Sequence, residues 1–583
     1  MTDPFRRITE MVARAPKASA GETAAAQEAG EDAREPAIDP CDDLGPSDAD
    51  NSGADPNVVA RCASLDHSDT DNGKRLIAHF GRDLIVMAQG GTSGGDYLGW
   101  TGTHWDLDGG LARATMAAQR VGGRIALEAA HLDYTPDESK AIKAEAPFSG
   151  DDERDEARAA RAKAQAARKA LKARQAARWR FAVTSKNKGR YTAMLDAAAP
   201  HLRRAPDDFN ADIYLVATQT HTLRFVREED PGSGEVPVYV ARAEASAEHR
   251  REDLITALVP VDYDKAATAP KWQAFLDECL PNKDVRRTVQ QYSGTGLLGV
   301  LLQRLMFHHG FGANGKSVFL EVLTRLLGES FAVGLPAESI VGTGERNAGG
   351  ASPDIVRLFG KRMVRVLELP EGAAVREDLV KRLTGGEKFP VRTLFKGYFE
   401  FQNRATPHMS GNGFPKIDGT DNGIWRRMLV VHWSVVIPEE RRRDFEEFVG
   451  DLLTERAGIL NWLIEGALDY LTNGLVISPE IATATASYRE DMDPIGRFVT
   501  DCVEAAAGEH VGARTMYEAY KSWCMANALS PRFETKFGLE MKKRFVKDEK
   551  RTRSYLDCRL HDVPARPDAA AKPPDDFPED YAR

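Results

Sequence analysis

The spacing of apolar positions changes several times along the chain, and each change marks an element. Val318-Phe319-Leu320-Glu321-Val322-Leu323-Thr324-Arg325-Leu326-Leu327 repeats at helical spacing and stops at Gly328. The apolar run from Leu301 to Phe307 precedes it as an entering segment, and Met363-Val364-Arg365-Val366-Leu367 reads as a strand closed by Glu368. Upstream, Arg75 to Phe80 predicts a helix. Asp83 to Ala88 and Tyr97 to Trp100 predict strands, and Gly102 to Trp105 a turn and strand with Trp105 as a core anchor. Asp212 to Ala217 is the clearest later strand. Val236 to Val240 is the next, restricted by Pro237 to an edge or to a start beyond it. Pro270-Lys271-Trp272 opens a helix, and Val285 to Leu302 predicts another with a Gly-rich break. Residues 439–475 place apolar positions at helical spacing around Trp462 and Leu463, as a packed lid or linker would. Residues 151–180 begin with acids and continue with arginines, lysines and alanines. That order suits a helix dipole, but the stretch has almost no apolar stripe, so it predicts a helix projecting into solvent.

Polar composition sets the ends. Residues 1–72 are rich in Ala, Asp, Glu, Gly, Ser and Pro and lack Trp and Tyr, so they are expected to form a disordered acidic tail; residues 563–583 are expected to be disordered too. The length, 583 residues, suggests three or four domains. The net charge of −10 excludes a general nucleic-acid coat and confines any DNA contact to local patches. Six cysteines, at 41, 62, 279, 502, 524 and 558, form no C-x-x-C pair, so neither a zinc ribbon nor a disulfide framework is indicated, and a reducing cytoplasm is expected. No apolar run has the length of a membrane span, and no membrane partner is expected.

The candidate chemistry centres on Gly310-Phe311-Gly312-Ala313-Asn314-Gly315-Lys316-Ser317, a G-x-x-x-x-G-K-S phosphate-binding pattern. Glycines let backbone N–H groups converge on phosphates, Lys316 adds a positive charge, and the Ser317 hydroxyl can hold Mg²⁺. The ATP-binding set is therefore Gly310, Gly312, Ala313, Asn314, Gly315, Lys316, Ser317 and Val318, with a helix N-terminus aimed at the phosphates. Such a loop needs a carboxylate on a neighbouring strand, and Glu368 supplies it, joining Ser317 as a Mg²⁺ ligand; Glu371 follows across a proline. Asn412, in Gly411-Asn412-Gly413-Phe414-Pro415, is placed to sense the γ-phosphate or the lytic water. Arg426 and Arg427 stand just ahead of another strand, and arginine there can stabilise transition-state charge. Lys381, Lys388, Arg392 and Lys396, with Phe389 as a stacking face, form a candidate DNA-tracking set; the alternative is a solvated basic loop. His308 and His309 adjoin the loop but should face opposite ways, so a metal site is not expected there.

The loop, the single-Glu strand, Lys381-Arg382-Leu383-Thr384-Gly385-Gly386-Glu387, Asn412-Gly413-Phe414-Pro415 and Trp425-Arg426-Arg427 lie within about 120 residues. Together they resemble a superfamily 3 helicase, and most nearly the phage/plasmid primase P4 family with a D5-type helicase. The flanks agree: residues from about 75 to 262 are similar to the D5 N-terminal region, and the tail resembles a winged helix. The resemblance implies an α/β P-loop ATPase with an AAA+-like superfamily 3 core at 266–440. A D5-type α+β region at 73–265 would precede it; a helical linker or lid at 441–490 and a winged-helix domain at 491–562 would follow. It implies ATP and Mg²⁺ as cofactors, Glu368 as the Walker B acid, Asn412 as the sensor, and Arg427 (or Arg426) as a finger reaching the neighbouring subunit. In the winged helix, Lys542 and Lys543 on the third helix would contact DNA.

The reading is a ring-forming, ATP-driven DNA helicase of a phage, prophage or plasmid replication module, acting on single-stranded or forked DNA as a homo-hexamer. Its expected location is the bacterial cytoplasm or a phage-infected host. No primase-type metal triad or zinc-finger cysteine set is evident, so primer synthesis is not expected of this chain and a separate primase is a possible partner. Two rivals stand beside it. One is a non-helicase motor. The other is a catalytically weak P-loop protein serving as a replication initiator or DNA-binding adaptor, favoured by the polar, proline-broken run Ala405 to Ser410.

Overall fold

The computed structural model describes residues 53–88, 96–148, 150–232, 238–342, 353–392, 398–417, 422–548 and 553–561. Most of the expected acidic tail, all of the expected C-terminal tail, and Lys396 lie outside these residues.

Helical order starts earlier than the composition indicates. Helices α1 (Pro56–Cys62) and α2 (Asp69–Phe80) both begin upstream of residue 73, capped by the side chains of Asp55 and Ser68. The expected boundary at 72 is therefore too late. Few apolar residues hold this segment; Val59, Cys62 and Leu76 are buried. A charged anchor does the rest. The guanidinium of Arg75 donates to the carbonyls of Cys62 and Leu65 and to Glu128, and Arg178 donates to Ala63 and Leu65. Burying such charges is tolerated because both guanidiniums pair with the Glu128 carboxylate.

Strands β1 (Leu84–Met87), β2 (Asp96–Trp100), β3 (Trp105–Asp106) and β4 (Arg203–Arg204) form one sheet in the order β3-β2-β1-β4. Its core is shared with α3 (Gly110–Glu128), α5 (Asp155–Ser185) and α6 (Lys188–Ala198), while α4 (Pro136–Glu145) packs on α5. The helix expected to project into solvent is α5, and it does not. Ala157, Ala164, Ala167, Phe181 and Ala182 are buried on one face, where small side chains let it approach α3 and α4 closely.

A second sheet has the order β7-β6-β5-β8, from β5 (Leu215–Thr218), β6 (Thr222–Glu229), β7 (Tyr239–Ser246) and β8 (Leu258–Val259). Only the second half of the expected strand at 212–217 is extended. Val216, Leu223, Phe225, Val259 and Val261 enter the same core as α7 (Pro270–Cys279) and α8 (Lys283–Gly294), so no core boundary falls at residue 265.

The main sheet is all parallel, in the order β10-β11-β14-β9-β15. Its strands are β9 (Leu305–His309), β10 (Ala332–Leu335), β11 (Met363–Val366), β14 (Thr406–Gly411) and β15 (Met428–His432); α9 (Lys316–Leu327) follows β9. Between β11 and β14 come α10 (Glu377–Gly385) and a hairpin of β12 (Lys388–Arg392) and β13 (Tyr398–Gln402). The polar run at 405–410 is thus a fully buried central strand. Its polar groups are matched from neighbouring elements: Tyr292 donates to the Pro407 carbonyl at 2.7 Å, and His408 Nδ1 lies 3.1 Å from His308 Nε2.

Helices α11 (Phe445–Leu453), α12 (Arg456–Asn473) and α13 (Pro479–Met492) are integral to this core rather than a linker. The Trp272 ring stacks on Phe319 (centroids 5.6 Å apart) and meets Trp462 edge-on at 5.5 Å, tying α7, α9 and α12 together. Last come α14 (Pro494–Cys502), β16 (Val503–Gly512), α15 (Ala513–Ala526), α16 (Glu534–Arg544), β17 (Lys547–Asp548) and β18 (Ser554–Leu560). Their sheet order is β16-β18-β17, over a core of Phe498, Tyr520, Trp523 and Phe537.

Candidate active site

The segment Gly310 to Ser317 joins the carboxyl end of β9 to the start of α9, with positive φ at Gly312 (98°), Ala313 (45°) and Gly315 (85°). Successive left-handed residues curl the backbone so that N–H groups converge, the arrangement an anion needs. Gly315 is required for space as well as conformation: a Cβ there would come within 2.5 Å of Cys279 Sγ and 2.8 Å of Phe275. Asn314 braces the loop, donating to the Trp433 carbonyl (3.1 Å) and accepting from the Lys316 N–H (3.3 Å).

Lys316 is 5% exposed. Its Nζ donates to the carbonyls of Gly310 (3.1 Å) and Gly411 (3.0 Å) and to Asn412 Oδ1 (2.9 Å). Burial lowers the pKa of the ammonium, and the charge of Glu368 opposes that shift. Glu368 follows β11 in the left-handed region, at φ 54°, with its carboxylate exposed. Asn412 follows β14 and is also exposed. Because β11, β14 and β9 are adjacent and parallel, Glu368, Asn412 and the Lys316 loop share one carboxyl edge. Ligands of open parallel sheets sit at this edge. Ser317, exposed in the first turn of α9, and Glu368 are hard oxygen donors of the kind Mg²⁺ takes. Gly310, Gly312, Ala313, Asn314 and Gly315 lie on the loop and Val318 on α9, within the expected set. Glu371 sits against Gly413, where a Cβ would meet its carboxyl carbon at 2.4 Å.

Two expected residues are placed otherwise. Arg427 is 7% exposed, with its guanidinium held by Thr384 Oγ1 (2.9 Å) and the Gly423 carbonyl of its own chain. The Arg427 guanidinium is thus engaged within its own chain, and Arg426 is the exposed one of the pair. Phe389, the expected stacking face, is 3% exposed and stacks on Phe401 inside the core, because the alternation along β12 turns it inward. Of the remaining DNA set, Lys381 lies 3.5 Å from Glu377 and Lys388 pairs with Asp207 at 2.7 Å. Arg392 ends β12, and Lys542 and Lys543 are exposed on α16, Lys543 pairing with Glu540.

Sequence reasoning missed the pairing of four histidines beside the loop. His308 and His309 do face opposite ways, but each meets another histidine: His308 meets His408, and His309 lies 3.0 Å from His432 through their Nδ1 atoms. Trp433 Nε1 donates to His308 Nδ1 at 3.0 Å, which makes that nitrogen an acceptor and leaves Nε2–H to donate to His408. Burial pushes His309 down to about 4 and His408 down to about 3, and takes His308 well below its usual range.

Two family models match outside the main sheet: D5 N terminal like at residues 73–281 and Poxvirus D5 protein-like at residues 490–564. Over these two stretches the chain is similar to D5 proteins. Curated relatives include the provisionally named helicase L207/L206 of Acanthamoeba polyphaga mimivirus, 25% identical over 272 residues, covering 43% of this chain and 28% of that protein. The provisionally named primase C962R of African swine fever virus (strain Badajoz 1971 Vero-adapted) is 27% identical over 271 residues, with the same coverage. Primase D5 of Fowlpox virus is 27% identical over 180 residues, covering 29% of this chain and 22% of that protein. The match thus spans under a third of these relatives' length. Among solved structures, the apo NrS-1 C-terminal region aligns over 57% of this chain and 96% of that one, at 11% identity and TM-score 0.33. Among the described residues, no helix is long and apolar enough to cross a membrane.

Proposed function

We propose that this D5-like chain is an ATP-hydrolysing DNA helicase of the superfamily 3 type, working as a homo-hexameric ring in viral, phage or plasmid DNA replication. The observation that carries the reading is the Lys316–Asn412 contact at the shared carboxyl edge, with Glu368 beside it. Loop N–H groups and the α9 N-terminus would receive the β- and γ-phosphates, and Lys316 would exchange its neutral oxygen partners for phosphate oxygens. Ser317 and Glu368 would hold Mg²⁺, which supplies further neutralisation of phosphate charge. Asn412 would orient the γ-phosphate or the attacking water. Since Arg427 is fixed within its own chain, Arg426 is the better assignment for the arginine that completes a neighbour's site. The helix–strand–helix–helix–strand–strand order at 494–560 supports the winged-helix reading, with Lys542 and Lys543 toward DNA phosphates. A separate primase remains the partner such a helicase would need. The adaptor alternative rested on an ill-formed strand before Asn412, and that strand is central and buried.

The test is steady-state ATP hydrolysis, with and without single-stranded DNA, for wild type, Lys316→Ala, Arg426→Ala and a mixture of the two variants. The expected result is DNA stimulation of wild type, loss in each variant, and partial recovery on mixing. Absence of hydrolysis by wild type under every DNA condition would sink the motor reading and make the adaptor the leading account.

A further inference from the structure

The strongest unassigned surface is the outer face of α5. Between residues 157 and 185 the sequence has nine Arg or Lys residues and no Asp or Glu. The structure divides eight of these cations into two sets, with Lys163 exposed outside both. Arg168, Arg174 and Arg178 turn toward α3 and α4, where Glu145, Glu138 and Glu128 neutralise them, and Arg161 donates to the carbonyls of Ala157 and Gly150. Arg158, Lys169, Lys172 and Arg180 lie on the opposite face, exposed, with no acidic partner among the described residues. At 100° per residue these four fall within about 80° of one another, away from the buried line Ala157, Ala164, Ala167, Phe181 and Ala182.

Charge alone would make a solvated face. Two further side chains argue against that. Trp179 is 60% exposed and Val183 is 69% exposed, both on this face between and just beyond the cations. An indole held in water beside three cations is the combination that binds unpaired bases: the cations follow the phosphates and the ring stacks on a base. The acids of the element, Asp155 and Glu156, are confined to its first turn, so positive charge is concentrated in the half that carries Trp179.

We propose that the outer face of α5 is a second binding surface for single-stranded nucleic acid, with Lys169, Lys172 and Arg180 on phosphates and Trp179 stacked on a base. Lys169 and Arg180 stand about 16 Å apart along the helix, at 1.5 Å per residue. The surface is remote in sequence from the Lys316 loop, and it rests on the helicase reading only for the choice of nucleic acid over an acidic protein.

The experiment is fluorescence anisotropy of labelled oligo(dT) with the full chain, without nucleotide, across a salt series. Lys169→Ala/Lys172→Ala/Arg180→Ala should bind more weakly and flatten the slope of log K against log salt by about 2, since each single-strand phosphate contact contributes roughly 0.7. Trp179→Ala should weaken binding roughly tenfold and leave the slope unchanged, as expected for loss of one stacked base. All four positions are exposed, so melting midpoints should match wild type and exclude misfolding as the cause. An unchanged slope and affinity in the triple variant overturns the proposal. So does an altered sedimentation coefficient, which would make the face a contact between copies, or equal capture of polyglutamate with no effect of Trp179→Ala. The assay contains no ATP, so its outcome is independent of whether the chain hydrolyses ATP.

Discussion

Lys316 holds its ammonium on three oxygens, none of which belongs to a carboxylate. Neutral acceptors are exchanged for phosphate oxygens at less cost than an ion pair would be, so the site is kept open by the choice of Asn at 412. Two substitutions separate this role from mere packing. Asn412→Asp should pair with the ammonium and compete with the phosphates, raising KM for ATP by about tenfold or more, the equivalent of one charge-assisted hydrogen bond. Asn412→Ala should leave KM nearly unchanged and lower kcat by roughly a hundredfold, as for loss of a group that acts on the transition state. Equal kinetics for the two variants would refute the assignment. The loop and Asn412 were legible because their residue types are dictated by backbone and charge. The choice between Arg426 and Arg427 was not, since successive residues point to different faces and only the position of Thr384 fixes which turns inward.

The three strands β9, β14 and β15 carry histidines whose hydrogen bonds require the neutral ring. His308 accepts from Trp433 and donates to His408, so a proton added at His408 Nδ1 would oppose the His308 Nε2–H. Folded pKa values of about 4 for His309 and about 3 for His408 lie below the unfolded value near 6.5. Below pH 6.5 the unfolded chain therefore binds more protons, and stability falls with pH until the folded values are reached. The unfolded ring is half protonated at pH 6.5 and almost fully protonated at pH 5.5, so each ring costs about 1 kcal/mol over that unit and the two together remove roughly 2 kcal/mol. Urea unfolding at those two pH values should show this loss, and His408→Gln should remove about half of it; equal stability at both would contradict the neutral pairing. Periodicity could not find this device. The partners are 100 and 123 residues apart in sequence and meet only through strand order, which also explains why β14 looked too polar for a core strand.

At the scale of the molecule, the D5 N-terminal match at 73–281 overlaps the core that supports the loop. Its last helix, α7, places Phe275 and Cys279 under Gly315 and stacks Trp272 on Phe319, so the matched region runs past the expected boundary at residue 265 and into the floor of the candidate site. Composition showed no break or continuity there, because the joining contacts are long-range and apolar. The consequence is a limit on truncation. A fragment of residues 266–492 keeps α7 but loses β5 to β8 and with them the burial of Val216, Leu223, Phe225, Val259 and Val261. At about 1.5–3 kcal/mol for each buried side chain the loss is on the order of 10 kcal/mol. That equals the whole stability of a typical domain, about 5–15 kcal/mol. The fragment 266–492 should show no cooperative melt by circular dichroism, whereas residues 205–492, which retain the second sheet, should melt in a single transition. A cooperative transition in the shorter fragment, at a midpoint near that of the longer one, would mean that the second sheet packs on a core already complete without it.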